Sequence, residues 1–182
     1  MRVALGVSGR IGSGKSTLAR SLANRLGCPL ASFGEYVRSV AKERGQNPTD
    51  RAVLQELGEE LIGRGWHEFC LAVLKMCDYR EGSVVVDGVR HKGAVTALAD
   101  IVKPVPWRLA AVVLDEERRR ERLGGLGADP SAVVRADSHR NEVEVGLVME
   151  LADYRVSGLL PVEEAATEVL RELTADLGSQ PA

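Results

Sequence analysis

The residues with the most obvious chemistry are a run of glycines and hydroxyl side chains close to the amino terminus. Gly9-Arg10-Ile11-Gly12-Ser13-Gly14-Lys15-Ser16 fits the spacing G-x-x-x-x-G-K-[ST], and Thr17 follows it. Glycines in such a loop let successive backbone N–H groups turn towards one anion, where a side chain would intrude. Lys15 would then reach the β- and γ-phosphates of ATP, and the Ser16 hydroxyl would hold Mg²⁺. The motif therefore predicts that residues 9–17 bind ATP and Mg²⁺.

The elements on either side of this loop are the ones that such a motif requires. Residues 2–7 form a short apolar, β-branched run, which predicts a buried strand. After the loop, Leu18, Leu22 and Leu26 recur every four residues until Gly27, which predicts an amphipathic helix. The first turn of that helix would direct its unpaired N–H groups and positive dipole end at the phosphates. A chance match to the motif is the alternative, and this strand–loop–helix context disfavours it.

A second chemical group follows another apolar run. Val84-Val85-Val86 is continuous, as is typical of a parallel strand buried on both faces, and it ends in Asp87. We interpret Asp87 as the second carboxylate for Mg²⁺, held directly or through water. The alternative is a turn or helix-capping aspartate before Gly88.

Five apolar segments alternate with helical segments along the chain. The strand candidates are residues 2–7, 28–32, 84–87, 109–114 and 154–156. The helix candidates are residues 16–26, 36–44, 50–62, 66–78, 94–102, 130–151 and 161–177. This alternation predicts a five-stranded parallel sheet with helices on both faces, in three α/β/α layers. Ligands then bind at the carboxyl ends of the strands. We expect residues 1–182 to form one domain.

Composition limits the remaining classes of function. The 182 residues are 45% hydrophobic and 27% charged, with a formal charge of −2, so we expect neither a nucleic-acid nor a membrane partner. Because residues 1–7 lead directly into the motif, we expect no signal peptide and a cytoplasmic protein. Cys28, Cys70 and Cys77 are too few for a disulfide framework. Cys70 and Cys77 share an apolar helix face, which favours core packing over metal binding. The oligomeric state stays open.

Several later segments resemble those of nucleoside monophosphate kinases, in the same order. Ser32-Phe33-Gly34-Glu35-Tyr36-Val37-Arg38 resembles S-x-G-[DE]-x-x-R, and Asp87-Gly88-Val89-Arg90 resembles D-G-x-x-R with the arginine one residue early. Glu121-Arg122-Leu123 resembles the E-R-L that opens the mobile lid of these kinases, and residues 135–140 fall where its returning arginines lie. Residues 152–158 resemble the A-D-x-x-[IV]-x-N stretch of dephospho-coenzyme A kinases, with Ser157 replacing asparagine. The resemblance runs from Arg2 to about Leu177.

The resemblance implies a P-loop kinase fold with an acceptor-binding region at about residues 33–80 and a short helical lid at about 115–141. It implies that the acceptor is bound by Ser32, Gly34, Glu35, Arg38 and Arg90. Together with the residues already identified, it implies a catalytic set of Lys15, Asp87, Arg122, Arg135 and Arg140. The lid has no set of four cysteines, so we expect no zinc there.

The implied activity is transfer of the γ-phosphoryl group of ATP to a small acceptor, a nucleoside monophosphate or a similar nucleotide. No glutamine follows Asp87-Gly88 closely, as it does in adenylate kinases, and this speaks against adenine as the acceptor base. One alternative is a hydroxyl acceptor, as in dephospho-coenzyme A, with Asp87 or Glu35 as the general base. Another is a nucleotide-dependent switch, or a nucleotide-binding protein without catalysis.

Some side chains have equally simple structural interpretations. Arg118 to Arg120 and Arg122 could form a solvated helix face paired with nearby glutamates, and Arg135 and Arg140 could be exposed helix arginines. We interpret Trp66 and Trp107 as core or rim residues, and the alternative is that they are platforms on which a base stacks. His91 has no evident partner in the sequence.

Overall fold

The computed structural model describes residues 2–125 and 140–178. The strands are β1 (Ala4–Gly9), β2 (Leu30–Ser32), β3 (Val84–Asp87), β4 (Trp107–Val113) and β5 (Tyr154–Ser157). The helices are α1 (Lys15–Leu26), α2 (Phe33–Glu43), α3 (Arg51–Gly63), α4 (Trp66–Met76), α5 (Lys92–Ile101), α6 (Glu116–Gly125), α7 (Arg140–Glu150) and α8 (Val162–Gly178). The five predicted strands are confirmed, and so are the predicted helices, of which the one at residues 130–151 is described only from Arg140. Of the predicted lid, residues 126–139 lie outside the described residues.

The five strands form one parallel sheet in the order β2-β3-β1-β4-β5, as predicted. In this register Asp87, the last residue of β3, pairs with Val7 of β1 on one side and with Ser32 of β2 on the other. The carboxyl ends of three strands therefore meet beside the loop that follows β1. The register brings residues 55 positions apart in the chain, Ser32 and Asp87, into contact.

The sheet separates two apolar cores. Val84 and Val86 of β3 pack towards α2, α3, α4 and α5, whereas Val85 packs towards α1 and α8. Successive side chains of a strand point to opposite faces, so a strand covered on both faces must be apolar at every position. This explains the uninterrupted valine run that predicted β3.

Cys70 and Cys77 belong to the first core, which confirms their interpretation as packing residues. Burial raises the pKa of the Cys70 thiol to about 12, so this sulfur stays protonated and is a poor metal ligand near neutral pH. Among residues 2–125 and 140–178, no group of three metal-binding side chains is assembled. None of the helices described has both the length and the apolar character needed to cross a bilayer.

Two helix starts are set by side-chain caps. Asp50 caps α3 by accepting hydrogen bonds from the N–H groups of Ala52 and Val53 at 2.9 and 3.4 Å. α2 begins at Phe33, three residues earlier than the predicted start, because the Ser32 hydroxyl accepts a hydrogen bond from the Glu35 N–H at 3.3 Å. The earlier start places the whole segment 33–38 on a helix beside the carboxyl ends of β2 and β3.

Gly6, in the centre of β1, provides a test of the packing on this sheet. A Cβ placed on Gly6 would lie 2.7 Å from both Cη2 and Cζ2 of Trp107. We expect Gly6→Ala to lower the free energy of unfolding by about 1–3 kcal/mol, because the indole must move in a filled core. Urea unfolding followed by circular dichroism measures this change.

The matched control is Gly146→Ala in α7, where an added Cβ meets no atom within 4 Å. Alanine is preferred over glycine in a helix by about 1 kcal/mol, so this substitution is expected to be neutral or stabilising. Equal destabilisation by the two substitutions would contradict the packing argument.

Candidate active site

The loop between β1 and α1 has the backbone conformation of an anion cradle. Gly12 and Gly14 adopt φ values of 82° and 94°, which residues with a Cβ rarely reach. The N–H groups of Thr17 and Leu18 both bond the Gly14 carbonyl at 3.1 Å, so α1 starts directly at the loop. Gly14 provides no side-chain cap, which leaves the first N–H groups of the helix for a ligand.

The outer side of the same loop is bound by α6. Arg122 donates from Nη1 to the Ser13 carbonyl at 3.2 Å and from Nη2 to the Gly158 carbonyl at 2.9 Å. Arg119 is completely buried and donates from Nη1 to the Ile11 carbonyl at 3.4 Å. The Leu123 side chain packs on Gly12 so closely that a Cβ there would meet Leu123 Cγ at 2.8 Å. Three contacts on successive loop residues therefore hold the loop against α6.

These contacts correct one prediction from the charged run at 116–122. Arg118 and Arg120 are exposed and pair with Glu121 and Glu116, as a solvated helix face predicts. The same interpretation is wrong for Arg119, which has no exposed surface. One local signal was available, because Arg119 lies one turn before Leu123 and both residues are buried on the same face of α6.

Asp87 has the environment of a metal ligand. The carboxylate is 9% exposed, and its Oδ2 accepts a hydrogen bond from the Ser32 hydroxyl at 3.3 Å. Its Oδ1 is buried and has no hydrogen-bond partner in the described part of the chain. Such an oxygen is costly unless a ligand satisfies it, and carboxylate and hydroxyl oxygens suit Mg²⁺. Ser16 and Asp87 line one cavity, so these residues fit the predicted metal.

That cavity, of about 440 Å³, runs from the loop to the surface of α2–α5. Its walls include the following polar residues: Lys15, Ser16, Ser32, Arg38, Arg51, Gln55, Asp87, Arg90 and His91. Its apolar wall consists of Ile11, Phe33, Val37, Leu54, Ile62, Trp66, Phe69 and Ala94. One continuous space thus joins the phosphate-binding loop to the predicted acceptor region.

Four of the five predicted acceptor residues line this cavity: Ser32, Gly34, Arg38 and Arg90. Arg38 is exposed and lies over the start of α2, where a Cβ on Gly34 would meet its Nη2 at 3.4 Å. The fifth residue, Glu35, is exposed and does not line the cavity. Glu35 instead lies in the first turn of α2, where an acidic side chain interacts favourably with the positive end of the helix dipole.

Two polar lining residues of α3 were missed from the sequence. Arg51 and Gln55 lie one turn apart on α3, on the face that also carries Leu54 and Ile62. The helical spacing of these positions was visible, but the sequence does not reveal that this face of α3 borders a ligand space. Of the remaining predicted catalytic arginines, Arg135 lies outside the described residues. Arg140 begins α7, and its side chain also lies outside the described part.

His91 has a partner that the sequence did not reveal. Its Nδ1 contacts a carboxylate oxygen of Glu144 on α7, 53 positions along the chain. Its ring centroid is 4.9 Å from that of Trp66, which in turn stacks on Phe69 at 6.2 Å. Trp66 therefore packs against the core and also lines the cavity. The contact between His91 and Glu144 connects this wall to α7.

The fold and the loop together define a member of the P-loop kinase class. The chain belongs to the AAA domain family, whose model matches residues 5–143, and to the UPF0200 proteins. A UPF0200 protein of Aeropyrum pernix is 30% identical over 93% of this chain and 91% of its own. A cytidylate kinase of Thermotoga neapolitana is 28% identical over 94% of this chain and 80% of its own.

Among solved structures, a shikimate kinase from Aquifex aeolicus superposes with a TM-score of 0.62 at 21% identity, covering 96% of this chain and 98% of its own. At this level of identity the likeness concerns the fold. The shared fold agrees with the parallel sheet and loop described above.

The contacts of α6 generate a prediction about nucleotide binding. Arg119→Met replaces the guanidinium side chain with an apolar one of similar length and removes the donor to the Ile11 carbonyl. We expect the dissociation constant for Mg·ATP to rise roughly tenfold, since hydrogen bonds from charged groups contribute about 1.5–3 kcal/mol. Isothermal titration calorimetry of the folded variant measures this constant.

Arg120→Met is the matched control, because Arg120 is the next residue on α6, is exposed and pairs only with Glu116 among the described residues. Its affinity should equal that of the unsubstituted protein. Equal nucleotide affinity in the two variants would show that the buried guanidinium does not support the loop.

Proposed function

We propose that the protein is an ATP-dependent kinase that transfers the γ-phosphoryl group to a small acceptor bearing a phosphate, with a nucleoside monophosphate as the first candidate. The observation that carries this proposal is the single cavity that contains Lys15, Ser16 and Asp87 together with Arg38, Arg51 and Arg90. A hydrolase needs only a positioned water at the γ-phosphate, whereas a second cluster of cations suits a second anion.

The residues present can support in-line transfer by positioning and charge. Lys15 extends from the first position of α1 into the cavity, where its ammonium group can stabilise negative charge on the transferred phosphoryl oxygens. A bound Mg²⁺ would supply Lewis-acid charge at the phosphates, with Ser16 and Asp87 to hold it. The arginines would orient the acceptor phosphate for in-line attack, which is the larger part of catalysis in this class.

The position of Asp87 also bears on the alternative of a hydroxyl acceptor. A phosphate oxygen is already ionised near neutral pH and needs no strong base, whereas a hydroxyl needs one. Of the two candidate bases, Asp87 lines the cavity and Glu35 does not. A nucleotide-dependent switch without a small acceptor would need no second cluster of cations in the cavity, which is why we favour the kinase.

An acceptor panel tests this proposal. ADP release from ATP is measured with CMP, UMP, AMP, GMP, the four nucleosides and dephospho-coenzyme A as acceptors. We expect stimulation by at least one phosphate-bearing acceptor and none by the nucleosides, because the arginines require an anion. Lys15→Ala should reduce that transfer by about 10²–10³-fold, the usual effect of removing one preorganised charge-stabilising donor. ATP turnover that ignores every acceptor, or full transfer by Lys15→Ala, would contradict the kinase proposal.

Arg38 gives an independent prediction for the acceptor side of the cavity. Arg38→Ala removes a guanidinium from the start of α2, so we expect the KM of the acceptor to rise about 10- to 100-fold while the KM of ATP changes little. Steady-state kinetics with each substrate varied in turn measure both constants. Lys42→Ala is the control, because Lys42 is exposed one turn further along α2 and does not line the cavity. A rise in the KM of ATP alone would show that Arg38 contacts ATP and not the acceptor, which contradicts the prediction.

A further inference from the structure

The apolar part of the cavity wall indicates the shape of the group that it receives. Phe33, Val37 and Phe69 are each less than 10% exposed, and they are backed by the first core. Phe33 meets Phe69 edge to face at 5.1 Å, and Trp66 stacks on Phe69 with an interplanar angle of 18°. Leu54 and Ile62 of α3 complete this wall. Apart from the Trp66 indole N–H, these six side chains are apolar, so the wall is poor in hydrogen-bonding groups.

Such a wall disfavours an acceptor with hydroxyl groups around its ring. Each hydroxyl of a sugar or a cyclic polyol that faced these side chains would lose its hydrogen bonds to water without replacement. A heteroaromatic ring differs, because its two faces are apolar and its polar atoms all lie on its edge. Aromatic walls bind such faces by stacking, which is tolerant of which base is present.

Gln55 is placed to meet such a polar edge. It is half-buried on α3, one turn after Arg51, and is the only carboxamide among the lining residues that the structure describes. Its side chain makes no hydrogen bond with any other described residue. A carboxamide offers a donor and an acceptor side by side, which matches the adjacent amino group and ring nitrogen of cytosine or adenine.

We infer that the acceptor carries a nucleobase, whose faces lie along the wall of Phe33, Trp66 and Phe69, and that Gln55 reads its edge and determines the base preference. This inference rests on the proposed kinase function and adds the residue that selects the substrate. The arginines bind the acceptor phosphate, whereas Gln55 and the aromatic wall bind the base.

The test compares acceptors and variants in one kinetic assay with ATP as the donor. The acceptors are CMP, UMP, AMP, GMP and ribose 5-phosphate, which has the phosphate and sugar but no base. The unsubstituted protein should use its preferred nucleotide with a kcat/KM at least tenfold above that of ribose 5-phosphate. Gln55→Ala should lower kcat/KM for that nucleotide by roughly 5- to 150-fold, the usual range for one bidentate base contact.

Gln55→Glu provides a readout that a merely structural residue would not change. It keeps the length of the side chain but offers only acceptors, so it repels the ring nitrogen of cytosine and adenine. The same carboxylate matches the two adjacent donors on the edge of guanine. We expect the ratio of kcat/KM for GMP to that for CMP or AMP to rise at least tenfold. Glu56→Ala is the control, since Glu56 is exposed on α3 and does not line the cavity.

The outcomes separate this inference from the function on which it rests. If ribose 5-phosphate is phosphorylated as well as the nucleotides, or if both Gln55 variants keep the base ratios of the unsubstituted protein, the kinase stands and the inference is overturned. If no acceptor receives phosphate, the proposed function fails and the inference fails with it. A changed base ratio in Gln55→Glu, with the control unchanged, supports both.

Discussion

A loop that points its N–H groups inward at a polyanion must point carbonyl groups outward, and those carbonyls need donors of their own. This constraint organises much of the structure around residues 9–17. The Ile11 and Ser13 carbonyls receive guanidinium groups from Arg119 and Arg122, and Leu123 covers the glycine between them. Because these donors are charged, their hydrogen bonds are stronger than those of neutral groups, and they hold the outer face of the loop in place. The cradle is therefore shaped from both sides.

The same contacts couple parts of the chain that are far apart in sequence. Arg122 donates at once to Ser13 and to Gly158, so α6 is fixed to the loop after β1 and to the segment after β5. Gly158 itself lies so close to the Ser13 carbonyl that a Cβ would stand 2.8 Å away. A shift of α6 must then disturb the phosphate-binding loop. α6, the helix that starts the predicted lid, therefore helps to hold the phosphate-binding loop in its conformation.

Features that depend on residues close together in the chain were predictable from the sequence, whereas features that depend on residues far apart were not. Strands and helices were predictable because the valine run of β3 and the leucine repeat of α1 record burial locally. The Asp50 cap is equally local, as its partners lie two and three residues away. The burial of Arg119, the exposure of Glu35 and the pairing of His91 with Glu144 depend on how whole helices pack. Only the four-residue spacing to Leu123 distinguishes Arg119 locally from its exposed neighbours.

The chemistry of the acceptor depends on side chains whose identity the fold does not determine. A parallel sheet and a phosphate-binding loop fix where ATP and a metal would lie, since both depend on backbone geometry at the carboxyl ends of the strands. The wall opposite the loop is built from side chains of α2, α3 and α4, which the backbone geometry of the loop does not determine. The likeness to the shikimate kinase structure, at 21% identity, concerns the sheet and not that wall. An aromatic wall that ends in one carboxamide and a group of arginines suits a flat ring joined to an anion, and a hydroxylated ring would leave its hydroxyls unpaired there.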